Sequence, residues 1–112
     1  MTIEQYQEAV EHWIKEYGIR YFDEKTNALL LIEEIGEVAR LIAREYGEQT
    51  FKEGKRPGDI KKAIADEMAD VLFVLTCLAN QMEIDLKEAI TENLNKKTKR
   101  DAKRHVNNDK LR

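Results

Sequence analysis

Four acidic side chains, Glu34, Glu37, Glu67 and Asp70, are the residues of this sequence best placed to do chemistry. Glu34 and Glu37 interrupt the apolar series Leu30, Leu31, Val38 and Leu41, whose spacing puts all six on one face of a helix. Glu67 and Asp70 do the same within Ile60, Ala63, Ile64, Val71, Val74 and Leu78. Carboxylates are almost never buried unless paired, and an isolated buried ion costs several kcal/mol. Two such pairs facing inward also repel each other, so something must relieve them. A hard divalent cation would, since carboxylate oxygens suit magnesium or manganese and the i,i+3 spacing turns both groups toward one ion. A basic partner from elsewhere would also serve, although Arg40, Arg44, Lys61 and Lys62 lie off both stripes by the helical period. The third arrangement leaves the carboxylates in solvent.

Other chemistries are thinner. The chain contains no serine, which excludes a serine nucleophile. Cys77 is alone inside an apolar run and reads as a small buried residue. His12 and His105 lack partners at zinc-ligand spacing. Trp13 and Tyr17, one turn apart, offer either core packing or a stacking surface for a flat ring.

The elements that would carry these residues are helical. A length of 112 residues, 37 % charged and 42 % hydrophobic, with one Pro and five Gly, fits one helix-rich domain. Thr2-Ile3-Glu4-Gln5 has capping-box spacing, and Ile3, Tyr6, Val10, Trp13, Ile14 and Tyr17 recur at a helical period as far as Gly18. A second helix is expected from Thr26 or Asn27 to Tyr46, with Gly47 just beyond it. Residues 47–58 hold three glycines and the proline and read as a long loop. Asp59 caps a third helix to about Met82, and Asp85 a fourth through about Lys103. The expected fold class is therefore all-α, a four-helix bundle over residues 1–104, with 105–112 a frayed basic tail. Ala28–Ile32 and Val71–Leu75 are apolar on every side, more than a bundle this small can cover. Completion by a homodimer or homotetramer is expected.

Charge is uneven. Residues 1–95 balance to −9 and residues 96–112 to +6. The acidic body disfavours nucleic acid as a partner, and the tail is either a solvated helix end or a phosphate-facing one. No membrane span or signal-peptide pattern is present, and the single cysteine suits a reducing, cytoplasmic setting.

Glu33-Glu34-Ile35-Gly36-Glu37 followed by Glu67-Met68-Ala69-Asp70-Val71-Leu72 resembles the MazG-type nucleotide pyrophosphohydrolases, whose signature is EExxE, a spacer, then ExxD. The likeness spans roughly residues 25–104, and the spacer of 29 residues is at the long end for that family. The resemblance implies Mg²⁺, with Mn²⁺ a substitute, held by Glu34, Glu37, Glu67 and Asp70. It also implies cleavage of a nucleoside triphosphate between the α- and β-phosphates, with Glu33 or Glu37 as general base. Phosphate contacts are expected from Lys25 and from Asn93, Lys96, Lys97 and Arg100 of the fourth helix, and base stacking from Trp13. Phosphoribosyl-ATP pyrophosphohydrolase is a related alternative with the same metal pattern. A non-catalytic helical interaction protein is the alternative from a different class.

Overall fold

The computed structural model describes residues 1–112, and each helix begins where a side chain satisfies its free N–H groups. In α1 (Ile3–Trp13) Thr2 and Gln5 form a reciprocal capping box. Asp23 caps α2 (Glu24–Tyr46) by accepting from the Thr26 amide at 2.8 Å, so this helix starts two or three residues before the expected Thr26 or Asn27. Asp59 caps α3 (Ile60–Gln81) and Asp85 caps α4 (Leu86–Asp101) in the same way. No helix is long and apolar enough to cross a membrane.

Two departures from regular helix follow. The end of α1 passes into a π-helical turn, Ile14–Gly18, closed by Ile19 at φ 70°. A β-branched residue there is a steric outlier. After α4, residues 102–107 turn, and Asn108 caps a short 3₁₀ helix, Asp109–Leu111.

The helices do not close a bundle within one chain. α2 and α3 pair along their lengths as an antiparallel hairpin, α1 lies on α3, and α4 rests on α1 through its first turns. The radius of gyration is 18.0 Å, against about 13 Å for a compact chain of this length. Only nine residues are buried, with Val10, Ile14 and Cys77 the centre where α1 meets α3. Leu29 and Ile32 of α2 are each 65 % exposed, and Leu72 of α3 is 56 % exposed. A polar clamp holds α1, α3 and α4 together. Gln7 donates to Asn80 and to the Ile84 carbonyl and accepts from the Leu86 amide, while Asn80 donates to the Gln7 carbonyl and the Tyr21 hydroxyl.

Candidate active site

The α2–α3 hairpin sets the register of the acidic residues. At its open end the buried Asn27 donates to Gln81 at 2.7 Å, and Gln81 donates to the Phe22 carbonyl. Toward the connecting loop, Leu41 and Ile64 are buried. Between these anchors Glu34 faces Glu67 and Asp70, and one carboxylate oxygen from each lies within 4.8 Å of the others. Glu34 and Glu67 are half-buried.

The electrostatics are those of like charges held together. Burial raises the Glu34 carboxyl above its ordinary value, and Asp70, Glu37 and Glu33 raise it further. Burial likewise raises Glu67, assisted by Asp70, Glu34, Glu37 and Asp66. No cation forms an ion pair with Glu34, Glu67 or Asp70. The donor set is all oxygen and all anionic, which fits a hard cation and not zinc. The spread of the three oxygens is comparable to two Mg–O bonds end to end, about 4.2 Å.

Glu37 stands apart from this group. It is exposed and paired with Arg40, Nε to Oε2 at 3.2 Å, yet near enough to act on Glu34 and Glu67. Glu33 is exposed beside Glu34. Trp13 is T-stacked on Phe73 at 5.4 Å between centroids and packs on Tyr17 at 5.5 Å; Phe73 lies one turn beyond Asp70. Lys25 is exposed in the first turn of α2, and Asn93, Lys96, Lys97 and Arg100 are exposed along α4. None of these five forms a hydrogen bond or ion pair with the acidic group, and Arg100 is bound to Asp101 at 2.8 Å. The helical period puts Arg40 off the acidic stripe, yet its side chain reaches Glu37. The signal in the sequence is Glu37-x-x-Arg40, an opposite-charge i,i+3 pair. Tyr6 is half-buried, and its hydroxyl pKa is raised by burial, with smaller contributions from Cys77 and Asp70.

The family model for the MazG nucleotide pyrophosphohydrolase domain matches residues 22–105, which include both acidic motifs and α4. The chain belongs to the MazG family. It is 36 % identical over 103 residues to the uncharacterized protein YpjD of Bacillus subtilis (strain 168), covering 92 % of this chain and 89 % of that one. The crystal structure of YpjD from Bacillus subtilis superposes with a TM-score of 0.75, covering 86 % of this chain and 94 % of the other. The Bacillus-conserved MazG protein, a nucleotide pyrophosphohydrolase, gives a TM-score of 0.71 at 33 % identity, covering 86 % and 88 %. MazG membership makes this chain a hydrolase of the nucleotide pyrophosphohydrolase type. MazG hydrolases generally use divalent metals, and Glu34, Glu67 and Asp70 form an acidic group that could hold one.

Proposed function

We propose that this protein hydrolyses a nucleoside triphosphate between its α- and β-phosphates in a Mg²⁺-dependent reaction, releasing the monophosphate and pyrophosphate, as a housekeeping step on the nucleotide pool. The observation that carries this reading is the convergence of Glu34, Glu67 and Asp70 on one point, with no basic side chain paired to them. A polyanionic substrate cannot approach four carboxylates unaided. When bound, a divalent cation supplies the positive charge and Lewis acidity that such a substrate needs.

The chain's own residues divide the remaining work. Glu34, Glu67 and Asp70 hold the ion, and Glu37 completes the set by turning from its exposed position on the same helix face. Glu33 or Glu37 accepts the proton of the attacking water. Trp13 and Tyr17, beside Phe73, give the base a stacking surface one turn beyond Asp70. The α4 residues Asn93, Lys96, Lys97 and Arg100 serve phosphate oxygens, as does Lys25, which from the first turn of α2 at the open end would reach the phosphates of a neighbouring protomer's substrate. Because α4 leaves the body after its first turns, its cations would act across the interface of a homo-oligomer.

The test is a panel of canonical and damaged nucleoside triphosphates together with phosphoribosyl-ATP, with pyrophosphate and orthophosphate measured separately. Pyrophosphate release that requires Mg²⁺ or Mn²⁺ is expected. Release of orthophosphate alone by metal-replete protein would overturn the α–β assignment.

A further inference from the structure

Arg40 is the one cation in ion-pair distance of any of the four acidic site residues. Its partner Glu37 is the one member of that set lying outside the tight group. The two side chains are 44 % and 49 % exposed, so either can change partners without breaking packing. Arg44, half-buried, curls back along α2 to donate to the Arg40 carbonyl at 3.2 Å. Glu37, Arg40 and Arg44 thus form one ridge at i, i+3 and i+7, running from the acidic group toward the α2–α3 loop. The cations of the remaining ion pairs lie elsewhere: Arg56 grips Glu45 through both carboxylate oxygens, Arg100 and Arg104 hold Asp101, and Lys87 holds Glu4.

We propose that Arg40 is a substrate-binding residue, exchanging Glu37 for the β- and γ-phosphates of the nucleotide when Glu37 turns onto the metal. The inference rests on the pyrophosphohydrolase reading above. In the metal-free protein Arg40 is the only direct counter-charge to this set. A divalent ion takes over that role and leaves the guanidinium free at the edge of the site. A guanidinium fork matches phosphate oxygens bidentately, which an ammonium cannot do. The position also gives the substrate a direction. Phe73 and Trp13 lie on the open-end side of Asp70, and Arg40 lies one turn from Glu37 on the loop side. A nucleotide whose base reaches the aromatic side therefore sends its terminal phosphates along the arginine ridge.

Binding of magnesium pyrophosphate and of a magnesium nucleoside monophosphate is to be measured by calorimetry on wild type, Arg40→Ala and Arg40→Lys. Free Mn²⁺ binding without nucleotide is to be followed by electron paramagnetic resonance. Arg40→Ala should weaken pyrophosphate about 10- to 100-fold, the worth of one charge-assisted bidentate contact. Monophosphate should change less than about twofold, Mn²⁺ should bind more tightly because a repelling charge is gone, and Arg40→Lys should recover part of the pyrophosphate affinity. Equal losses for both ligands, or weaker Mn²⁺ binding, would reduce Arg40 to a structural role and overturn the proposal. Unchanged pyrophosphate affinity in Arg40→Ala, with wild type still releasing pyrophosphate from a triphosphate, would overturn Arg40 alone. Wild type that binds neither Mn²⁺ nor pyrophosphate would overturn the pyrophosphohydrolase reading, and this inference with it.

Discussion

At the scale of the residue, the elevated Glu34 and Glu67 carboxyls tie the site to stability. A carboxyl raised on folding binds protons more tightly in the native state than in the unfolded chain. The metal-free protein is therefore penalised at neutral pH. The penalty fades as pH falls through the folded values toward the unfolded value of about 4.3. Glu67→Gln should melt higher than wild type in chelator at neutral pH, with the gap closing as pH approaches that range. Added Mg²⁺ should narrow or reverse the order, because wild type gains binding free energy that the variant loses. Calorimetric melts in chelator and in Mg²⁺ measure this, and a variant less stable than wild type in chelator would show that the carboxylates do not repel. Glu37→Gln should abolish turnover with an unchanged circular dichroism spectrum; a near-native rate would remove Glu37 from the ligands and the bases alike. Cys77 is a different kind of acid. Burial pushes its thiol up to about 11, so it should resist alkylation at pH 8 in the folded protein. Cys77→Ala should keep full activity and lose about 1 kcal/mol, the cost of a methyl-sized cavity. Inactivation of a folded Cys77→Ala protein would give the thiol a role that its burial argues against.

At the scale of the element, the Gln7 clamp fixes where α4 leaves the body. Gln7→Ala removes the acceptor for the Leu86 amide and the donor to Asn80 and Ile84. A net loss of about 2 kcal/mol is expected from these bonds, with faster hydrogen exchange at Leu86 and its neighbours in the first turn of α4. Unchanged exchange there would mean that α4 is held by something else. Three of the four helix starts were legible because Asp59, Asp85 and the Thr2–Gln5 box carry their capping chemistry in the sequence. The start of α2 was misplaced because Thr26 and Asn27 are cap residue types, whereas Asp23 takes the cap and Thr26 supplies the amide. Asn27 instead turns inward to Gln81, a partner 54 positions away that no local pattern contains. The π-helical turn was not legible either: Trp13, Ile14 and Tyr17 satisfy an ordinary helical period, so nothing in their spacing marks it. Of the site, the i,i+3 spacing showed each pair on its own helix face. The approach of Glu34 to Glu67 and Asp70 depends on hairpin register, and the side chain chosen by Glu37 depends on rotamers.

At the scale of the whole molecule, exposed apolar surface on α2 and α3 dominates. Met68, Leu72 and Leu75 lie along one side of α3, and Leu29, Ile32 and Ile35 project from α2, all open to solvent in the single chain. Surfaces of this kind mark association sites. The protein is expected to be a homodimer or homotetramer, with a melting temperature that rises with concentration. Light scattering giving about 13.1 kDa at micromolar concentration would contradict this. The same whole-chain view gives Trp13 a second significance, because it is the sole indole in 112 residues. Its ring rests on Phe73, one helical turn past Asp70. Selectively excited emission therefore comes from a single point one helical turn from the candidate site. The molecule carries its own optical probe there, so loading with a quenching ion such as Mn²⁺, or with a nucleobase, can be followed without any label.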